Sequence, residues 1–351
     1  MTPVRLLILG TGGMANNHAE NFAKIPGVTL VGGVDTRPVQ LEEFCKKHNI
    51  AKAFASLDEA LAWGQFDAVT NVTPDAAHYP TTMPILRAGK HILCEKPLAT
   101  NARDAVEMAE AAAKAGVVNM VNLTYRNVAA LQRAAELVAE GAIGDIRHME
   151  ASYLQSWLIQ PAWGEWFSQS QWLWRLSTAH GSKGVLGDIG IHILDFATFV
   201  AGLDVAEVSG QLHTFDKAPG GKIGEYVLDA NDSATMQVRL TNGALGTVSA
   251  TRFAAGHMND LRLRLFGLKG GIEVLFENNV SRLNVCLGDN VNTVTWEQVE
   301  ASPRPTVYER FIAAVRGEGV ADPDFARAAK LQRVLDAVAD SDAQGGRAIR
   351  L

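Results

Sequence analysis

The stretch Val4-Arg5-Leu6-Leu7-Ile8-Leu9-Gly10-Thr11-Gly12-Gly13-Met14-Ala15 decides the fold. The apolar run Val4–Leu9 stops at a glycine-rich turn, and the helical-looking Asn17–Lys24 follows. That order is strand, turn, helix. A second apolar run, Val28–Val34, ends in Asp35, which closes a strand–helix–strand unit with a carboxylate at the tip of its second strand. Gly10 permits the tight turn, Gly12 lets the backbone approach a pyrophosphate, and Ala15 in the third small position keeps helix and strand close. Asp35 is then placed to accept hydrogen bonds from an adenosine ribose. A carboxylate there repels the 2′-phosphate of NADP and pairs with a free ribose diol, so NAD is the expected cofactor. Arg37, two residues on, leaves NADP possible.

Working outward, the alternation continues. Helices are expected at Leu41–His48 and at Ser56–Trp63, the latter capped by Ser56 and stopped by Gly64. The strand Ala68–Val72 opens at Thr73-Pro74 into a loop at the carboxyl edge of the sheet, where ligands of such folds bind. His78 begins the next helix, placed against either the cofactor or the backbone. The strand end Ile92–Cys94 runs into Glu95-Lys96-Pro97, where proline fixes the backbone and holds Lys96 extended. After the alanine-rich helix Ala102–Ala115 and the strand Val117–Leu123, the texture changes at Tyr125-Arg126. Residues 1–124 therefore read as a Rossmann dinucleotide-binding domain and 125–351 as a substrate-binding and oligomerisation domain.

The second half is α+β in pattern. Helix Ala130–Glu140 and strand Ile146–Gln155 precede alternating runs at Glu207–Phe215, Ser233–Leu240, Ala244–Phe253, Leu261–Gly267, Gly271–Phe276 and Arg282–Cys286. These predict a large, mostly antiparallel open β-sheet, with helices Val307–Arg316 and Phe325–Ala339 closing the chain. A broad sheet face that must be covered suggests a homo-oligomer.

Between the halves of this pattern lies Lys183–Asp195, dense in glycine and ionisable groups. If a helix begins near Gly187–Asp188, Asp188, His192 and Asp195 fall at i, i+4 and i+7 on one face, opposite Ile189, Ile193, Leu194 and Phe196. Polar groups buried in such a helix need partners or ligands. Just upstream, Trp157, Trp163, Trp166, Trp172 and Trp174 are five of the chain's seven tryptophans, interleaved with Gln160, Glu165, Ser168, Gln169 and Gln171. Indole faces among amides suit a sugar ring, and also an aromatic subunit contact.

Taken in order, Gly10-Thr11-Gly12-Gly13-Met14-Ala15, Thr73-Pro74 with His78, Ala88-Gly89-Lys90-His91 leading into Glu95-Lys96-Pro97, and Gly184, Gly187, Asp188, Gly190, His192 and Asp195 resemble the glucose–fructose oxidoreductase/inositol dehydrogenase (Gfo/Idh/MocA) family. Trp174-Arg175 also fits. The resemblance implies cofactor contacts from Gly10, Thr11, Gly12, Gly13, Met14, Ala15, Asp35, Thr36, Arg37, Asn71, Thr73, Pro74, His78, Glu95, Lys96 and Pro97. It implies that Lys96, Asp188 and His192 share the proton-transfer duty, and that the protein is a homodimer or homotetramer. Arg126, Trp163, Trp174, Arg175 and Lys183 are further expected substrate contacts. The chain departs from the family pattern at His180-Gly181-Ser182-Lys183-Gly184, where relatives often carry a plain glycine run, so the substrate stays open.

Composition narrows the partners. A chain of 351 residues, 47% hydrophobic and 20% charged, has the profile of a soluble globular protein of two domains. A net charge of -6 without a basic run argues against nucleic acid, and no run approaches the roughly 18 apolar residues of a membrane span. Cys45, Cys94 and Cys286 have neither disulfide nor metal spacing, so no metal is expected and a cytoplasmic location is natural. Oxidising a secondary alcohol by hydride transfer needs a nicotinamide, a base and a donor for the developing alkoxide. The expected activity is thus NAD-dependent oxidation of a secondary hydroxyl of a cyclic polyol, sugar or sugar derivative. The rivals are an NAD-dependent glycosidase working by transient ring oxidation and elimination, and a non-catalytic dinucleotide-sensing regulator.

Overall fold

The apolar run that opens the chain forms β1 (Val4–Leu9), and it lies inside a six-stranded sheet. The other strands are β2 (Val28–Val34), β3 (Lys52–Phe54), β4 (Ala68–Asn71), β5 (His91–Cys94) and β6 (Asn119–Val121), in the order β3-β2-β1-β4-β5-β6 and all parallel. That is the doubly wound order, whose switch point falls between β1 and β4. Leu6, Leu7 and Ile8 are wholly buried, as expected of a strand with helices on both faces. The glycine turn leads into α1 (Gly13–Phe22).

The computed structural model describes residues 2–351, which divide into two compact units. The first is the chain as far as Thr124 together with Pro305–Gln332; the second is Tyr125–Arg304 with Arg333–Leu351. The return of 305–332 to the first unit differs from the expected division of 1–124 from 125–351. Its cause is a helix, Val307–Val315, that starts in a capping box between Thr306 and Glu309. Its apolar side chains Tyr308, Phe311 and Ile312 pack with Val4, Leu6, Phe22 and Ala68 in one core cluster.

In the second unit nine strands form one sheet. Its pairs are antiparallel except Ile146–Leu154 beside Leu245–Thr251, which run parallel. Strict alternation decides its faces: in Ser233–Leu240 the residues Ala234, Met236, Val238 and Leu240 are buried while Thr235, Gln237 and Arg239 are exposed. The buried face is covered by helices Ala129–Ala139 and Ile191–Ala201. The opposite face carries ion pairs, Arg264 with Glu150 and Glu273 and Arg262 with Glu273. The strands Lys52–Phe54, Glu297–Val299 and Ile349–Arg350 escaped the sequence pattern because two or three residues are too few to show a period. Among the described residues, no helix is long and apolar enough to cross a membrane.

Candidate functional site

In the first unit the glycine turn opens on a close approach that only glycine tolerates. Gly10 has φ +88°, and a Cβ there would lie 2.6 Å from the Val72 carbonyl oxygen. At Gly12 and Gly13 a Cβ would meet nothing within 4 Å, so open space lies directly before the first turn of α1. Helix N-termini present unpaired amides and a positive dipole end, which suits a pyrophosphate. Ala15 is fully buried, Met14 half-exposed. The residues present therefore fit a dinucleotide.

Asp35 directly follows β2 with its carboxylate saturated. Oδ2 accepts from the Thr11 amide at 2.9 Å, the Thr11 hydroxyl at 2.8 Å and Arg37 Nη2 at 2.8 Å; Oδ1 accepts from the Arg37 amide at 3.0 Å and Arg37 Nε at 2.9 Å. Burial opposes its ionisation, but Arg37 and Thr11 outweigh it and hold the carboxyl below the usual carboxylate range. A ribose diol must share this carboxylate with Arg37, whose side chain is 60% exposed. Thr36 is exposed beside it.

Behind the strand ends, several expected cofactor contacts are held by hydrogen bonds within the first unit. His78 is fully buried with Nδ1 2.7 Å from the Pro97 carbonyl and Nε2 2.9 Å from the Thr73 carbonyl. Burial opposes its charge, but Cys94, Asp75 and the Pro97 carbonyl push it up to about 10, and with an acceptor at each nitrogen the ring donates twice. It clamps the two loops that follow β4 and β5, with both ring nitrogens engaged by backbone carbonyls. Glu95 is likewise committed: Oε1 meets His18 Nε2 at 2.7 Å and Asn122 Nδ2 at 2.6 Å, and Oε2 accepts the Lys96 amide at 3.1 Å. Burial opposes its charge, yet His18, Asn122 and Lys96 bring the carboxyl down to about 2. Glu95 thus fixes the backbone of Lys96, which precedes Pro97 through a cis peptide bond. Buried Asn71 plays the same part for the preceding loop, accepting from the Thr73 amide at 3.2 Å and hydroxyl at 2.7 Å, with Pro74 following.

In the second unit the site helix starts at Gly184, three residues earlier than expected, and passes through a π-helical turn, Leu186–Gly190, before the α-helix Ile191–Ala201. Asn231 sets the start: its carbonyl accepts from the Val185 amide at 2.8 Å and its Oδ1 from the Leu186 amide at 3.0 Å. Gly184, at φ +65°, leaves room for that side chain where a Cβ would stand 2.4 Å from Asn231 Cγ. Lys183, exposed, precedes this turn.

The wider π turn alters the α-helical register, and Asp188 and Asp195 take different partners. Asp195 is buried in a bidentate ion pair with Arg126, Nε–Oδ2 2.6 Å and Nη2–Oδ1 2.9 Å, and the guanidinium lies 3.7 Å from the Phe199 ring centre. Arg126, expected to touch substrate, is 2% exposed and forms a buried tie to the site helix. Asp188 accepts from Arg252 Nη2 at 3.0 Å, and Arg175 Nε stands 4.0 Å away. His192 is 8% exposed, with the Tyr125 ring edge-on at 5.0 Å and Tyr153 at 6.4 Å. The tyrosine hydroxyls bond to each other, and Tyr153 donates to Asn259 Oδ1 at 2.7 Å. Burial, then the Asp188 charge, pushes Tyr125 up to about 12.

The tryptophans form a small core and not an open indole surface. Trp157, 1% exposed, lies 5.2 Å from Trp172, and Trp163 meets Trp172 edge-on at 6.3 Å. They cluster with Leu158, Leu173, Leu176 and Leu228. Trp163, expected to contact substrate, belongs to this cluster. Trp174 stays partly exposed under the Arg175 guanidinium, 4.6 Å from its ring centre. Tyr125, Tyr153, Asn231, Asn259 and Arg252 were missed by sequence reasoning. Arg252 alone carried a signal: it continues the inward-facing series Gly246, Val248, Ala250 at a position where an arginine is out of place.

Comparison with known proteins agrees with both halves. Residues 4–123 match the "Oxidoreductase family, NAD-binding Rossmann fold", and residues 131–273 match the "GFO/IDH/MocA C-terminal domain". A levoglucosan dehydrogenase of Pseudarthrobacter phenanthrenivorans is 32% identical over 58% of this chain and 54% of its own length, so that alignment takes in about half of the relative. The crystal structure of an oxidoreductase domain protein from Kribbella flavida is 30% identical, covering 100% of this chain and 99% of that one with a TM-score of 0.88. A levoglucosan dehydrogenase solved with NADH is 25% identical, covers 99% of both chains and has a TM-score of 0.88.

Proposed function

Because the chain belongs to the GFO/IDH/MocA oxidoreductase family, whose N-terminal part is an NAD-binding Rossmann fold, we propose that it oxidises a secondary hydroxyl of a cyclic polyol, sugar or sugar derivative, with NAD preferred over NADP. When bound, NAD supplies the hydride acceptor. The observation that carries the reading is a carboxylate and an imidazole one turn apart on a buried helix, Asp188 held by Arg252 and His192 enclosed by two tyrosines. His192 takes the hydroxyl proton, since its ordinary pKa lies nearest neutrality. Lys96, in the first unit, presents an ammonium whose backbone Glu95 fixes, the chemistry that stabilises an alkoxide. Arg175, near Asp188 and over Trp174, together with exposed Lys183, selects the substrate. The similarity to levoglucosan dehydrogenase places anhydrosugars in the first panel to try.

The test follows NADH absorbance across inositols, aldoses, anhydrosugars, glycosides and sugar acids. In the variant His192→Ala, turnover should fall by roughly 10²- to 10⁴-fold with NADH binding intact. Turnover equal to the parent's would remove His192 from the reaction; glycoside cleavage without net NADH would replace the reading by the glycosidase one.

A further inference from the structure

We infer that Arg252 is a positioning residue for this reaction: it fixes Asp188 as a permanent anion, so that Asp188 serves as a constant acceptor while His192 carries the proton. The inference rests on the dehydrogenase reading above and assigns a duty to a residue outside its expected set.

The guanidinium of Arg252 is wholly buried and held from three sides. Nη2 donates to Asp188 Oδ2 at 3.0 Å, Nη1 donates to the Arg175 carbonyl at 3.2 Å, and the group lies 4.9 Å from the ring centre of Trp157. Trp157 cannot swing away, since it is 1% exposed and its indole N–H donates to Gln155 Oε1 at 3.1 Å. A buried charge of this kind requires a counter-charge. The other carboxylate acting on Arg252 is Asp232, but that acid is paired at 2.5 Å with Lys217, both side chains being buried. Asp188 is thus the partner in direct contact.

The groups around Asp188 all point the same way. Arg252 and, at 4.0 Å, Arg175 are cations from two other segments. Tyr125 and Tyr153 act on the site as neutral phenols, since burial raises both. His192 is on the same helix, one turn on. An acid between two guanidinium groups keeps its charge wherever His192 titrates. The substrate hydroxyl proton therefore goes to the His192 imidazole, and Asp188 keeps its lone pairs for hydrogen bonding. The side chains differ in exposure accordingly, 0% for Arg252 and 28% for Asp188, so the pair is closed on the cation's side and open on the anion's.

Two measurements on the full chain test this. The first is the pH profile of kcat/KM for the parent, Arg252→Met and Arg252→Lys, using NAD and a polyol that the parent oxidises. Removing a cation tightens every proton at the site, so Arg252→Met should move the acid limb up by about one pH unit, and Arg252→Lys should restore it. A limb unmoved in Arg252→Met, with turnover lowered equally at all pH values, would mean a packing role and overturn the inference. The second covers an Arg252→Met chain that fails to fold: carboxyl NMR of the parent labelled with ¹³C-aspartate, with the Asp188 signal assigned by its loss in Asp188→Asn. That signal should stay that of a carboxylate between about pH 5 and pH 8, the range in which an imidazole changes charge; one that titrates within that range overturns the inference. The NMR titration needs no substrate, so a parent that oxidises nothing in the panel defeats the enzymatic reading separately from the charge assignment.

Discussion

The tightest constraint on the dinucleotide turn is Gly10, and substituting alanine there gives a calculable result. Two costs arise. The backbone sits at φ +88°, a left-handed conformation that costs an L-residue about 1–2 kcal/mol. The new Cβ would also stand 2.6 Å from the Val72 carbonyl oxygen and 2.8 Å from its carbon, which are backbone atoms at the end of β4 and cannot rotate away. Forcing a methyl group into packed surroundings costs about 1–3 kcal/mol more. The sum, about 2–5 kcal/mol, falls on the first unit. Gly89→Ala separates the two costs, because Gly89 has φ +65° but its Cβ would meet nothing within 4 Å, leaving only the conformational penalty. Calorimetric unfolding of the parent and both variants measures stability, and NADH fluorescence titration measures the turn. Gly10→Ala should be the more destabilised, and each ~1.4 kcal/mol of strain that displaces the turn weakens NADH about tenfold. Equal destabilisation of the two variants, with equal NADH affinity, would refute the close approach of β1 and β4 as the reason for glycine.

Two further outcomes follow from ion pairs in the first unit. Arg37→Ala should lower the affinity for NADPH relative to NADH by about tenfold: a doubly charged phosphate about 6 Å from this exposed guanidinium gains only about 1–1.5 kcal/mol in water-like surroundings, and an unchanged affinity ratio would remove Arg37 from cofactor choice. Glu95 is held at about 2, below its ordinary 4.5, so its contribution is complete above about pH 4.5 and is lost as the pH falls toward 2. The melting temperature of the parent should drop through that window and that of Glu95→Gln should drop less; parallel curves would dissociate the buried His18–Glu95 pair from acid unfolding.

Legibility in the sequence followed the range of the interactions. The first unit's sheet was readable because each of its elements announces itself locally: apolar runs buried on both faces, glycine at the turn, Ser56 accepting the Glu59 amide as a helix cap. Asp188 and His192 were readable for the same reason, being four residues apart on one helix. What stayed hidden was pairing at a distance. Arg126 reaches Asp195 across 69 residues and Arg252 reaches Asp188 across 64, and nothing local distinguishes a buried arginine from one offered to substrate. The tryptophans are ambiguous in the sequence because polar neighbours suit a site lining and a solvated surface equally. In the structure Gln169 and Gln171 bond to each other at the surface while the indoles turn inward. The Val307–Val315 helix showed an apolar stripe but not which core would take it.

The two arginine–aspartate pairs on the site helix show how one kind of interaction yields two functions. At Asp195 both side chains are sealed, 2% and 4% exposed, and the bidentate contact ties the middle of the helix to Arg126, near the start of the second unit. At Asp188 only the arginine is sealed, and the carboxylate lies in a π-helical turn, a distortion that widens the backbone at this position. A buried ion pair contributes little net stability, whereas removing one partner from it costs several kcal/mol. Retaining two such pairs on one helix is therefore poorly explained by stability alone and well explained by position. The Asp195 pair makes the helix a fixed platform, and the Asp188 pair orients a charge upon it. His192, between them in sequence, takes its place from the first and its electrostatic surroundings from the second.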